Sequence, residues 1–205
     1  MDDIEDDWDF GGSFDFVFAR FLTGSIKDWP RFFKQSYEYR YADQRPSFGS
    51  VNKRLTLKRR TLNSGGYIEV QDAIYPLHCD DNSLSADAAA YRWSLLLKEG
   101  FARNGRPLDS ALHYQSQLAE AGFVDIKVEK ERWPTGKWAK DKKYKQLGIW
   151  NGENIVAGLS GVSLATFTRP EEENGLGWSN VELEVLLASV RRDFKDNSIH
   201  AYFPM

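Results

Sequence analysis

The chain has 205 residues, 41% of them apolar, with seven Trp, nine Tyr and thirteen Phe, enough for one substantial domain with a helical elaboration. A formal net charge of −3 excludes a generally basic surface, and the single Cys79 excludes an intrachain disulfide or a multi-cysteine zinc site. No run approaches the roughly eighteen apolar residues of a transmembrane helix, and the acidic start is no signal peptide; the expectation is an intracellular protein, cytoplasmic or nuclear, with no membrane partner.

In chain order, residues 2–9 carry six acids in eight positions, which by composition alone is a solvated terminus. The Gly11-Gly12-Ser13 turn leads into Phe14-Asp15-Phe16-Val17-Phe18-Ala19, a short run of β-formers that predicts a buried strand. Asp28 before Trp29-Pro30 predicts a helix cap with proline in the first turn, and Phe32, Phe33, Ser36 and Tyr37 follow at helical spacing. Gly65-Gly66 opens a second strand, Tyr67-Ile68-Glu69-Val70-Gln71-Asp72. Strand, helix, strand is the pattern of a parallel βαβ unit. Ligands of such sheets bind beyond the carboxyl ends of the strands, here Ala19-Arg20 and Gln71-Asp72.

From Ser85 the pattern turns helical, with Trp93, Leu96 and Leu97 on one side of a helix over 88–101. Leu112, Gln115, Leu118 and Ala119 predict another helix, closed by Gly122. Residues 123–128 alternate as a half-covered strand should. Residues 140–166 read as a long helix that Gly152, Gly158 and Gly161 should interrupt or kink. Ser179-Asn180-Val181-Glu182 is a capping box opening a helix to Asp193, and Ile199-His200-Ala201-Tyr202-Phe203 predicts a final strand. The expectation is a single domain over 1–205, with 85–122 and 140–193 as its helical elaboration.

Residues 39–60 stand apart. Arg40, Arg45, Lys53, Arg54, Lys58, Arg59 and Arg60 against Asp43 give a net +6, so the remainder sums to −9. A basic arm for phosphate or nucleic acid and a disordered surface insertion both fit. Aromatics able to stack bases are limited to Tyr41 and Phe48, which favours the insertion and speaks against a nucleic-acid partner.

With that stretch set aside, Ser36-Tyr37-Glu38 runs into Thr61-Leu62-Asn63-Ser64-Gly65-Gly66-Tyr67-Ile68-Glu69-Val70-Gln71-Asp72. The joined text resembles the helix and following strand of the fungal LaeA-like family of class I S-adenosylmethionine (SAM) methyltransferases. Further matches are Asp2-Asp3-Ile4-Glu5-Asp6-Asp7-Trp8, Phe14-Asp15-Phe16-Val17-Phe18-Ala19-Arg20, Ser25-Ile26-Lys27-Asp28-Trp29-Pro30 and Glu120-Ala121-Gly122-Phe123-Val124-Asp125. Trp133-Pro134, Gly148-Ile149-Trp150-Asn151 and His200-Ala201-Tyr202 complete an ordered series.

The resemblance implies an α/β fold with a Rossmann-like, mostly parallel sheet of seven strands and a helical substrate cover. It also implies a chain that starts near the end of the third strand, truncated at the N-terminus. The family's glycine-rich SAM loop is lacking, since no G-x-G-x-G occurs in the sequence. By resemblance the cofactor is SAM at an incomplete site. Asp3 matches the acid that accepts the adenine amino group, with Ile4 in contact beside it; Ala19 and Arg20 match the turn lining the methionine end. A surface ion pair of Arg20 with Asp15 or Asp28 is the alternative.

Methyl transfer from a sulfonium needs positioning more than a dedicated catalytic side chain, so no catalytic residue is assigned. For a substrate base the candidates are Asp72, His78 and His200, although a lone His is more often a structural hydrogen-bonder. His78, following Pro76 beyond a strand end, is better placed than His113 on a surface helix. His78 and Cys79 lack the further ligands a zinc site needs, so no metal is expected. Trp93, Trp133, Trp138 and Trp150 could line a substrate pocket, with core packing the commoner role. The implied function is methyl transfer to an unknown acceptor, small molecule or protein, impaired by the missing loop. The alternative is a non-catalytic fragment or a regulatory domain with protein partners in fungal secondary metabolism.

Overall fold

The computed structural model describes residues 3–8, 10, 12–42 and 56–205. In chain order the strands and helices are β1 (Phe14–Arg20), α1 (Trp29–Tyr37), β2 (Glu38–Ala42), β3 (Thr56–Arg60), β4 (Leu62–Gln71), α2 (Ala89–Arg103), α3 (Tyr114–Ala121), β5 (Arg132–Pro134), α4 (Lys142–Thr168), α5 (Asn180–Lys195) and β6 (Tyr202–Pro204). They fall into two units: Met1–Leu22 with Ile26–Gln71 and His113–Val128, and Thr23–Ser25 with Asp72–Leu112 and Glu129–Met205.

The first unit is built on a parallel βαβ. β1 pairs with β4 in parallel, Phe16 opposite Tyr67 through Arg20 opposite Gln71, with an irregularity between Phe14 and Phe16. The α1 crossover starts where the sequence says: Asp28 caps it by accepting from the Arg31 N–H at 2.9 Å, with Pro30 in the first turn. Its apolar side buries Trp29, Phe32 and Phe33, and Tyr114 of α3 lies against Trp29 and Phe33 with ring centroids 4.3 and 5.3 Å apart. α3 stops at Gly122, whose φ of 109° suits glycine and whose missing Cβ would crowd the Tyr37 ring at 3.0 Å.

β2 and β3 pair antiparallel, Glu38 opposite Arg60 and Ala42 opposite Thr56. The two flanks of the expected insertion therefore form a ladder; its interior, 43–55, lies outside the described residues. The ends of the stretch meet, because the Thr61 N–H donates to the Tyr37 carbonyl at 3.2 Å and the Thr61 hydroxyl donates to the Gln35 carbonyl at 2.5 Å.

The second unit packs α2, α4 and α5 around Trp93, Leu97, Leu159, Phe167, Leu183, Leu187 and Val190. The buried Trp93 indole N–H donates to Ser163 Oγ at 2.9 Å, so it is not orphaned. α5 opens with the predicted capping box of Ser179 and Glu182. β5 and β6 pair antiparallel, and His78 adds an isolated bridge to Tyr202.

Three expectations are corrected. Residues 123–128 form no strand: Asp125 takes a φ of 56°, which breaks an extended ladder, and Val124 is 81% exposed. α4 runs 27 residues unbroken through its glycines. Gly148 and Gly152 let the helix press on the Thr135–Gly136 backbone, so they serve close packing and not a kink. The last strand is shorter than read, only Tyr202–Pro204. The architecture is α/β with a small parallel sheet; the described residues form three separate two-stranded sheets.

Candidate functional site

In the first unit the residues of interest lie at the carboxyl end of β1 and at the N-terminal end of α1. Ala19 is buried, so only its main chain can face a ligand. Arg20 is exposed, its guanidinium 5.0 Å from the centroid of the Phe21 ring. Phe21, at a φ of 52°, turns the chain out of the strand while its N–H donates to the Gln71 carbonyl at 2.9 Å. A left-handed aromatic residue at a strand end is a strained position, of the kind found beside binding sites. Asp15 accepts from the Asn63 side-chain amide at 2.7 Å, and Asp28 caps α1.

The acidic opening is a folded turn, not a solvated tail. The Asp3 carboxylate accepts from the Glu5 N–H at 2.9 Å, and the Asp6 N–H donates to the Asp3 carbonyl at 3.0 Å. Glu5 Oε1 accepts from the backbone N–H of Lys27 at 2.7 Å and of Asp28 at 3.4 Å, an acid placed at the positive end of α1. Asp7 pairs with Arg31 at 2.8 Å, and Gln35 both accepts from the Trp8 N–H at 3.1 Å and donates to the Asp6 carbonyl at 3.1 Å. This leaves Asp3 Oδ2 without a hydrogen-bond partner among the described residues, beside an Ile4 side chain that is 41% exposed. Sequence reading singled out Asp3 and Ile4 but missed Glu5 and Gln35, whose partners lie 22 and 27 positions away and leave no local signal.

In the second unit the three proton-accepting candidates sit in different settings. Asp72 is buried and accepts from the Thr23 N–H at 2.9 Å. His78 is exposed and exchanges both backbone hydrogen bonds with Tyr202 at 2.9 Å, a structural bridge. His200 is bound through Nδ1 to Asp81 Oδ2 at 2.5 Å, donates its backbone N–H to Ser83 Oγ at 2.8 Å, and lies against the Trp138 ring with centroids 5.1 Å apart. Asp81 orients the ring through Nδ1, and Nε2 has no hydrogen-bond partner among the described residues, the arrangement of a carboxylate-oriented imidazole.

Asp81 is held well below the usual carboxylate range, first by the Cys79 thiol, then by His200 and Ser83. Asp80 next to it accepts from the Tyr202 hydroxyl at 2.8 Å and pairs with Arg132; burial, then that bond, pushes the Tyr202 hydroxyl up. His113 is exposed at the end of a 3-10 turn. Of the four Trp residues weighed for a pocket, Trp93 is core, Trp133 and Trp138 are half-buried and Trp150 is 66% exposed. Among the described residues no group of three His, Cys, Asp or Glu is placed to hold a metal, and no helix is long and apolar enough to cross a membrane.

No known protein-family model matches the chain. Methyltransferase pytC of Aspergillus terreus is 30% identical over 203 residues, which is 99% of this chain and 54% of that protein. Probable methyltransferase tdiE of Emericella nidulans is 29% identical over 203 residues, 99% of this chain and 55% of its own. Secondary metabolism regulator laeA of Monascus pilosus is 26% identical over 202 residues, 98% and 47% respectively. The chain thus spans about half the length of the curated relatives it matches. Over nearly its whole length the chain is similar to fungal methyltransferases and secondary metabolism regulators, laeA among them.

Proposed function

We propose that this chain is one section of a class I SAM-dependent methyltransferase, with β1 and β4 as neighbouring strands of its Rossmann-like sheet and the helices of the second unit as substrate cover. The observation carrying this reading is the acidic turn of residues 3–8. It is fastened by Glu5 and Gln35 to the helix that crosses between two parallel strands, beside the edge where open α/β sheets take ligands. SAM, when bound, supplies a sulfonium-activated methyl group for in-line transfer to a nucleophile.

The residues present fit one end of that cofactor. Asp3 Oδ2 suits the exocyclic amine of adenine, and Ile4 offers apolar surface for the face of the ring. Ala19 would contribute main chain only, and Arg20 brings a cation to the carboxyl end of β1 that would suit the methionine carboxylate. For the ribose and methionine the 205 residues hold no G-x-G-x-G turn, whose backbone donors would make most of the contacts. The second reading is a non-catalytic section of the family that binds a protein partner.

Calorimetric titration of the 205-residue chain with SAM is expected to show no binding at micromolar cofactor. A chimera in which this chain replaces the matched section of pytC should bind SAM. In it, Asp3→Asn should weaken binding roughly tenfold, the cost of one charge-assisted hydrogen bond, with circular dichroism unchanged. A low-micromolar dissociation constant for the chain alone overturns the incomplete-site claim. A folded chimera blind to SAM overturns the methyltransferase reading.

A further inference from the structure

α4 is a surface helix whose outer side is nearly free of charge. Leu159, Ser163 and Phe167 bury its inner side. On the outside Trp150, Glu153, Ala157, Gly161 and Leu164 recur at helical spacing, all exposed, Trp150 at 66% and Leu164 at 52%. Ile149 and Val162 flank them and are exposed too. Between Leu147 and Thr168 the single charged residue is Glu153. A helix on the surface of a globular protein carries its charges on the side away from the core, and an exposed apolar face marks an interaction surface. A Cβ on Gly158 or Gly161 would meet nothing within 4 Å, so the middle of this face is open to close approach.

The charges are gathered at the two ends, with opposite sign. Lys142, Lys143 and Lys145 open α4, after Lys137 and Lys140. The first turn holds no acid, although the positive end of the helix dipole favours one. Asp141, the one acid among these lysines, caps the helix by accepting from the Tyr144 N–H at 3.1 Å. Beyond the other end Glu171, Glu172 and Glu173 form an exposed 3-10 turn. Arg169, between helix and turn, donates to Asn104 at 3.1 Å. Among the described residues none of these lysines and glutamates has an ion-pair partner.

An apolar face with lysines at one end and glutamates at the other is complementary to itself when turned end for end. A two-fold axis through the middle of α4 sets the lysines of each copy against the glutamates of the other. With Lys142 opposite Glu171 of a second copy, the axis falls at 156–157, beside Ala157. Trp150 then meets the second copy between Gly161 and Leu164. A helix of 27 residues is about 40 Å long, so its ends stay within side-chain reach at a shallow crossing of about 20°.

We propose that the outer face of α4 is the contact of a two-fold dimer of this chain. The two helices run antiparallel, with the Lys142–Lys145 end of each copy against the Glu171–Glu173 turn of the other. The dimer goes beyond the methyltransferase reading and does not depend on it.

The test is sedimentation velocity of the 205-residue chain over a range of concentrations, without cofactor. A reversible monomer–dimer equilibrium is expected, with a dissociation constant on the order of 10 μM that rises with salt, because the end pairs are exposed. Gly161→Arg, which the open space around Gly161 admits in the monomer, should weaken it at least tenfold with circular dichroism unchanged. Val181→Ser, on the exposed side of α5, should leave it as it is. Charge exchange reads the register. The triple change Lys142→Glu, Lys143→Glu, Lys145→Glu should weaken the dimer, and so should Glu171→Lys, Glu172→Lys, Glu173→Lys. A chain carrying both sets should regain it. Hydrogen exchange, which needs no variant, should show protection over α4 that grows with protein concentration. A chain that stays monomeric well above that constant overturns the proposal. So does a dimer indifferent to Gly161→Arg, or one that the double exchange fails to restore.

Discussion

A Cβ added to Gly148 would overlap the carbonyl oxygen of Gly136, while one added to Gly158, on the same helix, would meet nothing within 4 Å. Alanine at either position gains helix propensity of about 1 kcal/mol. At Gly148 the obstacle is backbone, which cannot swing aside like a flexible side chain, and overpacking of this kind costs about 1–3 kcal/mol or more. Gly148→Ala is therefore expected to lower the urea midpoint of unfolding and Gly158→Ala to raise it. A rise in both would mean that α4 does not press on the Thr135–Gly136 turn.

Asp81 belongs to the same scale. Its folded pKa is depressed by hydrogen bonds from Cys79, His200 and Ser83, so its contribution is present above the unfolded value of about 3.9. That contribution is lost as pH falls through the lower folded value. Between pH 5 and about pH 3 the wild type should lose more stability than Asp81→Asn, which has no carboxylate to titrate. Equal losses measured in urea would mean that Asp81 is not held by this network in solution.

At the scale of elements, the ends were legible and the middles less so. Asp28 capping α1, Gly122 closing α3 and Ser179 with Glu182 opening α5 all read correctly, because each cap acts within three or four residues of itself. The alternation at 123–128 has the period of a strand but no neighbour to pair with, and Asp125 bends the chain away. The basic stretch 39–60 has its own two ends paired as β2 and β3, and the chain on either side of it meets at Tyr37 and Thr61. Loop-closure cost grows slowly with length, so replacing 39–60 with Asn-Gly should save about 2 kcal/mol, set against the loss of the β2–β3 ladder. The melting temperature should stay equal or rise, while the net charge moves from −3 to −9. A collapse of the melt would make the ladder structural for the first unit.

For the whole molecule, the sequence by itself determined the parallel βαβ start, the helical character of most of the second half, the caps and the kinship with fungal methyltransferases. These depend on periodicity and on contacts a few residues long. The acidic start shows the limit: composition describes a solvated tail, yet Glu5 reaches Lys27 and Trp8 reaches Gln35, and such pairings leave no local pattern. Only the tertiary structure decided that Gly148 and Gly152 are packing contacts, that Phe16, Phe18 and Tyr67 share one bare face, and that His200 is oriented by Asp81 across 119 positions of sequence. A glycine reads as a break until the backbone pressed against it is known. A strand aromatic reads as core until the sheet shows which face is covered. A histidine reads as any other until folding brings a carboxylate to one of its nitrogens and leaves the other open.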